Sequence, residues 1–178
     1  MRIEEIITKR TLSLNEILDT RVDVKWRDVF GGMRGTFDLD DHVYEIQIDH
    51  FDLKLSKDYT FVDFGFTRDG DWAATHEQKS ASRIFGAVIN AFLSKMDKIQ
   101  PSFVMYGVNY KNGSVESRKS LYDRLARYFG KSRGYRILYE WVKGTNGEYC
   151  LMTKEKLSEE DKAKLDAQVT SIMAKPIA

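Results

Sequence analysis

Apolar residues recur along this chain with two different periods, and the switches between them outline the fold. From Ser80 to Ile99, Ile84, Phe85, Val88, Ile89, Phe92, Leu93, Met96 and Ile99 fall at three- and four-residue spacings. This predicts a long amphipathic helix with a broad buried face, closed by Pro101. On either side lie short two-sided apolar runs, "YTFVDFGF" from Tyr59 and "SFVMYGV" from Ser102, which read as buried strands. In "SRKSLYDRLARYF", Leu121, Tyr122, Leu125, Tyr128 and Phe129 fall on one face of a second helix, ended by the stretch Gly130 to Gly134. Upstream, "RVDVKWRDVF" alternates Val22, Val24 and Trp26, and "GGMRG" breaks the chain. "TFDL" and "VYEIQI" flank Asp40-Asp41 as a tight hairpin. "YRILYEWV" and "EYCLMT" form a terminal hairpin across "KGTNG".

The two ends read as helices. Ile3, Ile6, Ile7, Leu14, Ile17 and Leu18 suit a docking helix, with Ser13 and Glu16 spaced as a capping box. The tail has Ser158 as cap and Leu165, Val169 and Ile172 as its apolar side. The strand–helix–strand unit from Tyr59 to Val108 predicts a parallel pair. The fold class is therefore α+β: a mixed, mostly antiparallel sheet with flanking helices. It is expected as a single domain over 1–178, with an N-terminal extension over 1–20 and a C-terminal helix over 157–175.

Composition narrows the classes. Of 178 residues, 28 are basic and 27 acidic, so the chain is no general polyanion binder. Cys150 is the sole cysteine, which excludes an internal disulfide and suits a reducing compartment. No apolar run is long enough to span a bilayer, and no signal-peptide core follows Met1. A soluble protein without membrane contact is expected. His42, His50 and His76 lack zinc spacing. Asp38, Asp40 and Asp41 lack the Gly and closing Glu of a calcium loop. No metal is expected, and no P-loop, Rossmann fingerprint or nucleophile elbow is present.

The element order from Tyr59 to Thr153 resembles the GCN5-related N-acetyltransferase (GNAT) fold. There a central strand leads to a phosphate-binding loop and a helix, then a strand, a helix that often carries Leu-Tyr, and a hairpin. The segments "TFDLDDHVYEI", "SRIF" and "SRKSLYDRL" are also similar to small proteins of tailed bacteriophages. The GNAT resemblance implies acetyl-CoA as cofactor, held by backbone N–H groups of a Gln/Arg-x-x-Gly-x-Gly/Ala loop. The nearest match is "QKSASR", giving Gln78, Ala81 and Arg83 as cofactor-binding candidates. Ala and Arg replace the small residues that let a pyrophosphate approach, so this loop reads as degenerate; the alternative is that Arg83 binds phosphate directly.

The resemblance makes Tyr122 the acid for a departing thiolate, although its place on the apolar face equally suits a core ring. Candidate bases are Asp63, His76 and Glu116, and nothing in the spacing selects among them. Each has a structural alternative, which for Asp63 is pairing with an arginine in the sheet. Arg118, Lys119, Arg124, Arg127, Lys131, Arg133 and Arg136 crowd one span, with Tyr128 and Tyr135 interleaved. Such a span serves a protein partner, a phosphate or a nucleic acid, or is simply a solvated face. The expectation is a phage-type protein, in the host cytoplasm or the virion, whose degenerate GNAT-like fold binds a phage or host protein without catalysis or cofactor. Arg118, Arg124 and Arg127 are its expected partner contacts. The alternatives are an acetyl-CoA-dependent N-acetyltransferase and a nucleic-acid-binding accessory protein.

Overall fold

The computed structural model describes residues 19–70, 81–109, 115–145 and 147–173; the expected N-terminal helix lies outside them. Among the described residues, seven strands and three helices follow one another: β1 (Lys25–Val29), β2 (Gly32–Leu39), β3 (His42–Phe51), β4 (Phe61–Arg68), α1 (Ala81–Ile99), β5 (Phe103–Asn109), α2 (Val115–Arg133), β6 (Arg136–Lys143), β7 (Gly147–Thr153) and α3 (Glu159–Met173). The sheet order is β1-β2-β3-β4-β5-β7-β6. β1–β2, β5–β7 and β6–β7 pair antiparallel, whereas β4 and β5 pair parallel. The α+β class and the parallel pair are as the sequence predicts.

The chain divides into two compact units, Met1–Ile48 with Gly65–Gln100 and Asp49–Phe64 with Pro101–Ala178; β3 and β4 each pass through both. In the first unit, the predicted apolar stripe of α1 is buried from Ile84 to Met96, while its last member, Ile99, is only half-buried. Gln100 ends that helix in a left-handed conformation (φ 50°), its N–H donating to the Met96 carbonyl at 2.8 Å. Pro101 then forbids continuation. Asp40 and Asp41 both adopt positive φ, the backbone a two-residue hairpin turn requires, and short acidic side chains tolerate it. "GGMRG" does not break the chain as expected: only Gly31 turns, and β2 starts at Gly32. Gly35 belongs to the strand because a Cβ there would stand 2.8 Å from the Trp26 ring. Trp26 lies opposite Gly35 in the ladder and fills the missing side chain's space.

In the second unit, α3 packs Leu165 and Val169 into a core with Leu53, Phe61, Phe103, Met105, Tyr149, Leu151 and Leu157. Ser158 caps it as predicted, its Oγ accepting from the Asp161 N–H at 3.0 Å. Asp161 in turn accepts from the Ser56 N–H (2.7 Å) and hydroxyl (2.6 Å), tying the Ser56 loop to the helix start. Those bonds hold the Asp161 carboxyl below its ordinary range. It is a structural acid.

α2 ends within the expected stretch Gly130 to Gly134. The helix runs through Gly130 to Arg133, and Gly134 (φ 77°) is the stop, its N–H reaching the Gly130 carbonyl at 2.8 Å. Gly130 is required by contact: a Cβ would meet the Tyr135 backbone oxygen at 2.3 Å. Gly130→Ala should therefore destabilise the protein by roughly 1–3 kcal/mol, although alanine is the better helix former. Urea melts of the variant and parent check this, and an unchanged or raised midpoint would contradict the contact.

Candidate functional site

The expected site residues separate when placed in the fold. Gln78 and His76 lie outside the described residues, as do the side chains of Ala81, Glu116 and Arg118. Arg83 is exposed in the first turn of α1, and its Nη1 stands 3.2 Å from Asp40 Oδ1 in the β2–β3 turn. The expected phosphate ligand thus has an anionic partner within its own unit. Exposed pairs of this kind contribute little stability.

Asp63 sits near the middle of the sheet on β4, in register with Met105 of β5. Burial pushes its carboxyl up to about 7; the charge of Asp49 raises it further, and a hydrogen bond from the Phe64 N–H opposes both. The charge beside it is another carboxylate rather than the arginine that a structural role suggested.

Tyr122 belongs to a different cluster in the same unit. Its half-buried ring lies 6.1 Å from the ring of Tyr106 on β5. Tyr106 in turn meets Trp141 edge-on at 6.0 Å. Trp141 owes its placement to β6, whose register with β7 shifts on both sides of Tyr139. Trp141 itself has φ 49°, a conformation costly for an indole residue. The distortion aims its Nε1–H at Asp123 Oδ1 (3.1 Å) and its backbone N–H at Cys150 Sγ (3.3 Å). Lys119 forms an ion pair with Glu148, and its Nζ lies 5.5 Å from the Trp141 ring. Among these residues, reading the chain offered only Tyr122 as a catalytic candidate. Lys119 was read as part of the basic span, yet its side chain is only 14% exposed and its partner's 11%.

The electrostatics of this cluster favour neutral forms. Burial is the main cause that raises the carboxyl of Asp123, the phenol of Tyr106, and the thiol of Cys150, which reaches about 11. A thiol so shifted is not a nucleophile at neutral pH. The cluster can pack aromatic rings and hold one buried ion pair; it does not activate an attacking group.

Register decides how Asp63 and Tyr122 relate. Asp63 is opposite Met105 and shares its face, while the next residue, Tyr106, points the other way and packs on Tyr122. The expected base and the expected acid therefore belong to opposite faces of the sheet.

The basic span also resolves. Arg124 is half-buried, Arg127 and Lys131 are exposed, Arg133 lies 5.4 Å over the Phe129 ring, and Arg136 donates to the Glu155 carbonyl at 2.6 Å. Tyr135 is buried against Phe129 and donates its hydroxyl to the Pro101 carbonyl, which removes it from any stacking surface. Among the described residues no cluster of metal-ligating side chains occurs, and no helix is long and apolar enough to cross a membrane.

Two outcomes follow from the electrostatics. Asp63 holds its proton more tightly folded than unfolded, so its stabilising share is complete below the ordinary 3.8 and is lost as pH rises through about 7. Asp63→Asn should flatten that decline, which denaturant melts at about pH 4 and about pH 8 will show; equal pH slopes in both proteins would contradict it. Lys119→Met strands the Glu148 charge and should cost roughly 3–5 kcal/mol, with most of it recovered on adding Glu148→Gln. A harmless single variant would show the pair to be hydrated.

No protein-family model, no curated protein and no solved structure matches the chain.

Proposed function

We infer that the chain is a non-catalytic binding protein of phage type, working in the virion or on a host protein through the outer side of α2. The separation of Asp63 and Tyr122 onto opposite faces carries this reading, because a base and an acid serving one acyl transfer must reach the same bound substrate. The exposed Arg127 and Lys131, with Arg124 half-buried beside them, support α2 as the contact surface. The engagement of Arg83 with Asp40 supports the absence of a phosphate cradle. An acetyl-CoA-dependent N-acetyltransferase with a GNAT-like fold is the second reading. One observation favours it: a carboxyl at about 7 is poised as a general base near neutral pH.

Calorimetry with acetyl-CoA separates the two. The binding protein gives no heat at micromolar ligand, and a clear micromolar dissociation constant would install the acetyltransferase reading. In that event Tyr122→Phe should lower turnover with the fold intact. On the binding reading Tyr122→Phe melts within about 1 kcal/mol of the parent, whereas Tyr122→Ala loses the ring contact with Tyr106 and melts distinctly lower.

A further inference from the structure

The two ends of the sheet differ in kind. β6, at one end, is interrupted by two register shifts and the left-handed Trp141, features that spoil a strand as a template for further pairing. β1, at the other end, pairs with β2 in unbroken register from Lys25 to Val29. Among the described residues nothing continues the sheet beyond it. Lys25, Arg27 and Asp28 are exposed, and the turn that follows carries Phe30 with its ring fully exposed. A phenylalanine held wholly in water at the end of a regular open edge has no packing role among the described residues.

The residues of β1 decide what can add to that edge. Two copies paired antiparallel about a two-fold axis must keep opposed residues on the same face, so each such register is centred on a residue. Centred on Lys25 the pairing opposes Lys25 to itself; on Trp26, Lys25 to Arg27; on Arg27, Arg27 to itself; on Asp28, Asp28 to itself. Like charges directly opposite are destabilising, so these four registers disfavour a second copy, and the fifth, centred on Val29, opposes no like charges but overlaps β1 at that residue alone. Lys25 and Arg27 are two residues apart and share a face, and the Arg27 side chain remains 66% exposed although its Nη2 lies 3.3 Å from Glu45 Oε2. On the other face Trp26 is covered by Lys95, whose Nζ is 4.6 Å from its ring centroid.

We propose that the β1 edge is a docking site for an extended segment of a partner protein with acidic side chains at alternate positions, which adds a strand beside β1, faces Lys25 and Arg27, and receives Phe30 in an apolar pocket. Main-chain hydrogen bonds supply the adhesion, the alternating charges supply the register, and the exposed ring is the anchor. This surface lies in the unit that does not contain α2, and the proposal stands or falls independently of the function inferred above.

A fluorescent peptide alternating Glu and Val, added to the full chain at low salt, tests it, with a peptide alternating Lys and Val as the counterpart. The acidic peptide should bind saturably and slow amide exchange in Trp26–Asp28. Lys25→Glu with Arg27→Glu should weaken it roughly tenfold or more, and Phe30→Ala, at a site too exposed to disturb folding, should weaken binding of the same peptide but leave the melting temperature unchanged. No saturable binding of the acidic peptide overturns the proposal. So does equal binding of the Lys–Val peptide, or binding that survives the double charge reversal. A dimer in sedimentation that dissociates on the charge reversal would assign the edge to a second copy instead, and also overturns it.

Discussion

The four-residue parallel ladder between Phe61–Phe64 and Phe103–Tyr106 is the constraint on which the rest of the structure depends. Parallel strands cannot be joined by a hairpin, so the chain between them must leave the sheet and return, and α1 lies on that return path. The ladder also fixes which side of the sheet each side chain uses. Phe61, Phe103 and Met105 join the core beneath α3, while Tyr106 turns to the opposite face and meets Tyr122. Asp63 follows Met105. A shift of one residue would exchange every one of these assignments. The separation of the two candidate catalytic groups is thus a consequence of strand register, not of any local feature around either group.

β6 shows how the same sheet tolerates local cost. Its register shifts and the positive φ of Trp141 are unfavourable alone, and the surrounding bonds over-determine them. Asp123 accepts the indole N–H, Cys150 accepts the backbone N–H, and Tyr106 closes edge-on. Low dielectric around this cluster disfavours charge on its acids, which is why the thiol and the phenol stay protonated, while the charge of Lys119 is held in an ion pair with Glu148. A cluster of this kind specifies a unique arrangement of α2 on its strands. Its chemistry is that of a neutral interior.

Glycine has two separate jobs in this fold, and they demand different explanations. Gly31 and Gly134 supply positive φ at a hairpin and a helix stop. Gly35 and Gly130 supply space, one for the Trp26 ring and one for the carbonyl of Tyr135. The first job is local, and composition hints at it. The second is defined by a neighbour distant in sequence or by the path of the chain after a helix.

The sequence by itself determined the element order, the buried stripe of α1, the Asp40-Asp41 turn, the Ser158 cap and the parallel pair. Each rests on a short-range rule: a period of 3.6 or 2, a capping hydroxyl, or a connection too long for a hairpin. It misplaced what depends on contacts across the fold. The stretch Gly130 to Gly134 was legible as a helix end, but the need for glycine at Gly130 was not, because its neighbour, the Tyr135 carbonyl, is positioned only once the helix has ended. Lys119 looked like a surface cation because its partner Glu148 lies on a strand whose register no local pattern reveals. Tyr135 looked free to stack, and the Pro101 carbonyl that receives its hydroxyl is 34 residues away. Asp63 and Tyr122 were legible as titratable residue types at plausible positions. Whether they face one substrate was decided by the pairing of Asp63 with Met105, because alternation along a strand has a known period but a phase that only the neighbouring strand sets.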